Sequence, residues 1–173
     1  MCQLHEFFIM KISSTFQRLS SGILASLLMS LTSVAWAHGD VTPQAVDTRT
    51  LPPLGSTWKA ENPYRGNPAA IKIGTSAFNQ NCARCHGLEA ISGGIAPDLR
   101  RLDNECATLK DVKKQTACVR EMDDFFVGKF RRGVTRNGAV YMPPFEGILN
   151  QEAAWSIKSY LETRREKPLA LAK

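Results

Sequence analysis

Residues 81–87, NCARCHG, constrain this chain more than any other stretch of it. Cys82 and Cys85 stand three positions apart, with His86 directly behind the second. Two thiols at this spacing share one helical turn. Three chemistries use such a pair: a dithiol redox couple, half of a zinc site, or a covalent anchor for a porphyrin. The motif alone does not choose among them, and the rest of the chain has to.

Residues 1–37 read as a leader and not as part of a folded domain. Lys11 and Arg18 precede the apolar run GILASLLMSLTSVAWA, which closes on Ala35-Trp36-Ala37. That order of charge, apolar core and small-residue cleavage site is a secretory signal peptide, too short and wrongly flanked for a spanning helix. The expectation is cleavage after Ala37 and a soluble, exported chain in the periplasm, with no further membrane span. What remains is short enough for one domain with one core. The formal net charge of +6 is modest. Without charge runs or aromatic-basic interleaving it does not point to nucleic acid.

Cys2 lies in the leader, so Cys82, Cys85, Cys106 and Cys118 remain. Spare thiols tend to pair in an oxidising compartment. If Cys82 and Cys85 are occupied otherwise, Cys106 and Cys118 are the disulfide to expect, closing CATLKDVKKQTAC; two free thiols are the alternative. Four cysteines could also hold zinc, but that leaves His86 without a role and needs four reduced thiols. A thioredoxin-like couple needs a βαβ setting that the sequence lacks.

Residues 38–66 carry Pro43, Pro52, Pro53 and Pro63 with interspersed glycines and no sustained period, as expected of an extended arm lying over a domain at 67–173. Asn67-Pro68 reads as a helix cap followed by proline at the first helical position. Ile71, Gly74 and Phe78 continue one face, so this helix delivers the cysteine pair at its C-terminal end. A second helix is expected from near Glu121, with Met122, Phe125, Phe126 and Phe130 as its stripe and Gly133 as its stop. TRNGAVYMPPFEG reads as a loop. Asn150 caps a last helix with Ala154, Ile157 and Leu161 on one face, flanked by Trp155 and Tyr160. No alternating strand pattern is visible, and the class is all-α.

In that setting the Cys-x-x-Cys-His run is the attachment site of a c-type haem: both thiols can add to the vinyl groups of one porphyrin edge, and the imidazole lies under the iron. Besides His86 the exported piece holds only His38, its first residue, so His86 is the proximal ligand. Two methionines compete for the sixth position. Met122 falls on a helical stripe, where methionine is usually core. Met142 sits in YMPPF, stiffened by Pro143 and Pro144, and is the better candidate.

NCARCHG, then GIAPDL, then YMPPF, with terminal helices bearing Gly74/Phe78 and Trp155/Tyr160, together resemble a class I cytochrome c over roughly residues 67–165. The resemblance implies terminal helices crossing at Gly74 around one covalent haem c. It also implies that the Pro97 carbonyl accepts the Nδ1 proton of His86 and that Leu99 packs on the proximal haem face. The arm and the Cys106/Cys118 insertion are similar to small periplasmic cytochromes c that accept electrons from quinoprotein (PQQ) alcohol dehydrogenases. That implies a non-enzymatic carrier of single electrons from such a dehydrogenase to a downstream cytochrome or oxidase. A haem catalyst or small-ligand sensor with a labile distal methionine, or a fixed haem subunit of a larger dehydrogenase, are the alternatives. Lys129, Arg131, Arg132 and Arg136 could ring the haem edge and steer an acidic partner.

Overall fold

The computed structural model describes residues 42–169; the expected leader and the first residues of the arm lie outside this range. The described residues form five α-helices and one two-stranded hairpin. Helix α1, Pro68–Asn81, begins where expected: the Asn67 side chain accepts the N–H groups of Ala69 and Ala70 at 2.9 and 3.2 Å, and Pro68 occupies the first turn. A single turn, α2, Ala83–His86, follows, and α3, Asn104–Ala107, is equally short. Helix α4 spans Val112–Arg132 and α5 spans Gln151–Thr163, the latter capped by Asn150, whose side chain accepts the Ala153 N–H at 2.9 Å.

The frame of the fold is the crossing of α1 over α5. At Gly74 the α1 backbone lies directly on the backbone of Ser156 and Ile157; an ideal Cβ there would overlap the Ser156 carbonyl and stand 3.0 Å from the Ile157 nitrogen. Close approach lets Phe78 and Tyr160 meet at 5.2 Å between ring centroids, a tilted arrangement that the ring quadrupoles favour. Around them Ala77, Phe130, Phe145, Leu149, Ile157 and Leu161 complete the main core.

Helix α5 is buried almost all round, which a surface helix is not. Its outer face is covered by residues 42–66, which adopt no helix or strand. Polar side chains of α5 satisfy that irregular backbone: Glu152 accepts the Leu54 N–H at 2.7 Å, and Gln151 accepts the Lys59 N–H at 3.2 Å and donates to the Thr57 carbonyl at 3.1 Å. The cap Asn150 adds a side-chain bond, donating to the Thr48 hydroxyl at 2.9 Å. Leu51 and Tyr64 of the arm pack with Ala70, Val127 and Trp155 in a second cluster.

Lys158 is wholly buried. Its ammonium lies 3.2 Å from Asp103, 3.4 Å from Glu162 and 3.5 Å from Asp123, with Arg165 and Arg65 closing the network from outside. Three carboxylates face three cations, so the cluster is balanced, as burial of charge requires. It ties the arm, α4 and the segment before α3 to α5.

Three expectations need correction. Helix α4 starts at Val112, nine residues before the expected Glu121, because its first turns are held without an apolar stripe: Asp111 caps Lys114 N–H at 2.9 Å, and buried Gln115 donates to the Cys106 and Leu109 carbonyls at 3.1 and 3.3 Å. Phe125 does not belong to the buried face of α4 but is exposed. The stretch taken as a loop folds in part as a hairpin, β1 Val134–Arg136 and β2 Ala139–Met142, with Arg136 opposite Ala139. Asn137 and Gly138 both take positive φ, 49° and 77°, the conformation of a two-residue hairpin turn for which Asn-Gly is a favoured pair.

Candidate haem-binding site

Cys82 ends α1, its N–H donating to Phe78 O at 2.8 Å, and the N–H groups of Cys85 and His86 both return to the Cys82 carbonyl at 3.1 and 3.0 Å. One turn therefore carries both sulfurs and the imidazole. Gly87 then turns the chain away: its φ is +78°, and a Cβ there would collide with the Ile91 carbonyl. The following loop is pinned by Ser92, which donates to the Ala96 carbonyl and accepts the Gly94 N–H. Asp98 caps the short turn Leu99–Arg101 and pairs with Arg100 at 2.6 Å.

This loop brings the Pro97 carbonyl to 2.9 Å from His86 Nδ1. A carbonyl only accepts, so Nδ1 carries the proton and Nε2 keeps its lone pair. The ring is thus oriented and primed as a ligand. Leu99 and Cys82 both pack, half-buried, against the main core. Burial pushes the Cys82 thiol up to about 12, with the neighbouring Cys85 adding to the rise. A dithiol oxidoreductase needs the opposite shift, so the redox-couple reading has no support in the geometry.

Cys106 and Cys118 are bonded to each other, with Cα atoms 5.5 Å apart. The zinc reading fails with them: among the described residues no group of three or more His, Cys, Asp or Glu is placed to hold a metal ion. What remains is a turn with two free thiols and an imidazole nitrogen, the Cys82 sulfur and the Met142 thioether lying against the apolar core, which suits a covalently attached porphyrin with nitrogen and thioether ligands.

Met142 packs against the same core cluster as Cys82 and Leu99. It ends β2, and its carbonyl lies so close to Gly133 that a Cβ there would overlap it and stand 2.8 Å from Pro143 and Pro144. Beyond it, Phe145 donates its N–H to Phe130 O at 3.0 Å and stacks on the Phe130 ring at 5.3 Å. Met122 lies elsewhere, beside Cys118, Val119 and Leu169 in the cluster around the disulfide.

The four basic residues do not form a free ring of charge. Arg131 bonds Glu146 at 2.8–2.9 Å and lies over the Trp58 ring at 4.9 Å; Lys129 sits over Phe125 at 5.4 Å and Arg136 over Tyr141 at 5.9 Å. The loops after His86 and around Met142 expose large apolar side chains, Leu88 and Ile95 on one and Val140 and Tyr141 on the other. Sequence reasoning passed over Trp58 and Glu146. The aromatic residue in a proline-containing arm was the available signal.

A family model described as "Cytochrome C oxidase, cbb3-type, subunit III" matches residues 69–161. The chain is 51% identical over 146 residues to cytochrome c550 of Pseudomonas aeruginosa, covering 82% of this chain and 91% of that protein. Two proteins of Pseudomonas putida share shorter stretches. Quinohemoprotein alcohol dehydrogenase ADH-IIG is 35% identical over 63 residues, 30% of this chain and 9% of the enzyme, and quinohemoprotein alcohol dehydrogenase ADH IIB is 38% identical over 53 residues, 29% of this chain and 8% of the enzyme. No solved structure matches the chain. A thioether-competent turn, a carbonyl-oriented imidazole and a methionine on one apolar core accord with these relatives, and the chain belongs to the class I c-type cytochromes, electron carriers with a covalently bound haem c.

Proposed function

We propose that Cys82 and Cys85 carry the two thioether bonds, that His86 and Met142 are the axial ligands, that Pro97 orients His86 and that Leu99 packs on the proximal haem face. The observation that carries this is the 2.9 Å contact of His86 Nδ1 with the Pro97 carbonyl, because it leaves Nε2 as the free donor beside the cysteine pair. Bound haem supplies a one-electron ferrous/ferric couple, and a methionine sulfur raises its potential. With both axial positions filled by the chain, no site is left for a substrate on the metal, and the reaction is electron transfer through a docked partner.

The electrons come from a quinoprotein alcohol dehydrogenase in the periplasm and go on to a downstream cytochrome or oxidase. Supporting this, two proteins named quinohemoprotein alcohol dehydrogenase share a stretch with this chain. A dehydrogenase of that class joined to its own cytochrome would route electrons internally; here a separate carrier would do so by diffusion. Each reduced quinone gives up two electrons, so the carrier turns over twice per alcohol. Lys129, Arg132 and Arg136 favour an acidic docking face, whereas Arg131 is neutralised by Glu146.

The ligand assignment is tested by the weak near-red absorption of a sulfur ligand on ferric iron. Met142→Ala should abolish it and Met122→Ala should leave it; the reverse would overturn the assignment. The donor is tested by stopped-flow reduction with a purified quinoprotein alcohol dehydrogenase. Second-order reduction that slows with salt supports it, and no reduction on the timescale of alcohol turnover refutes it.

A further inference from the structure

The arm reaches the methionine loop at one point. Glu146 lies four residues beyond Met142, and Arg131 of α4 grips its carboxylate through Nε at 2.9 Å and Nη2 at 2.8 Å. The same guanidinium lies 4.9 Å over the face of Trp58. Trp58 stands 6.2 Å from the Phe130 ring, which stacks on Phe145 of the loop. Gln151 of α5 holds the arm backbone on both sides of the indole, at Thr57 and at Lys59. The Arg131 guanidinium beside Glu146 holds its carboxyl below the usual range, with a further contribution from the Trp58 side chain. All of this lies on residues tied to the loop, yet Trp58 falls before the family-matched range of 69–161.

We propose that Trp58 is a positioning residue for the methionine loop. Its indole, the Arg131 guanidinium and the Glu146 carboxylate form a clamp that holds residues 142–149 against α4 and limits how often the Met142 sulfur can leave the iron. The physical basis is a planar cation held between an aromatic face and a carboxylate. Arg131 is two-thirds shielded from solvent, so both its cation–π contact and its ion pair are stronger than at an open surface. Because one guanidinium serves both, loss of either neighbour weakens the other. An extended segment with no chemistry of its own would in this way govern the lifetime of an axial bond. The inference rests on Met142 being the sixth ligand.

The ferric holoprotein provides the test, with free imidazole as the probe. At saturating imidazole, disappearance of the near-red band is limited by opening of the loop. Trp58→Leu and Glu146→Gln should each raise that rate about tenfold, the combined loss of a partly shielded cation–π contact and ion pair. The double variant should be no faster than the worse single one, since the two act through one group. Val119→Ala, in the disulfide cluster, lowers overall stability by a separate route and should leave the rate unchanged. Wild-type rates in both clamp variants, or an equal acceleration in Val119→Ala, would overturn the clamp. Amide exchange at Phe145 and Leu149 reads the same opening without reference to sulfur or iron: faster exchange in Trp58→Leu supports the clamp, and unchanged protection refutes it even if Met142→Ala shows another ligand.

Discussion

Replacing Gly74 by alanine sets two effects of opposite sign against each other. In an isolated helix alanine is favoured over glycine by about 0.8–1.0 kcal/mol, so α1 alone would gain. At the crossing, however, the new methyl would meet the carbonyl of Ser156, which is helix backbone and cannot swing aside. The helices would have to part by about 1 Å, and a gap of that size forfeits up to half of each dispersion contact across it. Phe78 and Tyr160, at 5.2 Å, would lose most of the roughly 0.5–1.5 kcal/mol attributed to such a ring pair beyond its area. Overpacking adds about 1–3 kcal/mol. Net of propensity, a loss of about 2 kcal/mol is expected. Guanidinium unfolding of the ferric holoprotein, followed by far-ultraviolet dichroism and by haem absorption, gives the difference, provided the two probes coincide. A variant as stable as the wild type, or more stable, would show that the helices do not cross at this residue with the separation described.

Gly133→Ala places a side chain at φ +65°, ψ −160°, a region open to glycine, and drives it into Met142 and Pro143; a cost of about 1–3 kcal/mol for the backbone alone, together with partial loss of the near-red band at neutral pH, is expected by spectroscopy and unfolding. Burial pushes Asp103 up, but Lys158 and Arg165 outweigh it and hold the carboxyl below its ordinary value of 3.8. Its contribution is then complete above that value and is lost as pH falls through the lower folded one. Thermal melts should therefore show a steeper acid decline in wild type than in Asp103→Asn, which should also lose about 3–5 kcal/mol at neutral pH through the unbalanced buried cations. Cys106→Ser with Cys118→Ser opens a loop of sequence separation 12 and should cost about 3 kcal/mol in chain entropy. Its near-red band should survive, because that cluster lies apart from the one holding Met142.

The turn bearing the cysteine pair, the start of α1 and the helix crossing were legible because their spacing is itself the constraint. A Cys-x-x-Cys-His run, a cap at Asn67-Pro68 and a lone glycine on a helical face each have few structural solutions, and the structure uses the expected ones at α1 and α5. Helix α4 was only half legible. Its C-terminal turns have an apolar stripe, while its first turns hang on Asp111, Gln115 and a disulfide, none of which has a period. The hairpin was missed for a different reason: Thr135 to Met142 is too short for alternation to stand out, and the Asn-Gly pair that forms its turn was read only as loop composition. The covering of α5 was not legible at all. Lys158 looks like an exposed residue on an amphipathic helix until Asp103 and Asp123 arrive from distant parts of the chain to join Glu162, four residues on in the same helix. Trp58 gave only the faint signal of an aromatic in a proline-containing arm, since its partners Phe130 and Arg131 lie on α4.

The two cysteine pairs have opposite requirements during maturation. On the proposed attachment, Cys82 and Cys85 must still be nucleophiles when the porphyrin arrives, whereas Cys106 and Cys118 must be oxidised. The bridge closes within α3, α4 and the short connection between them, so it can form from local chain alone and leave the earlier pair untouched. On that assignment a premature Cys82–Cys85 bond is the dead end, because it leaves no thiolate for either thioether.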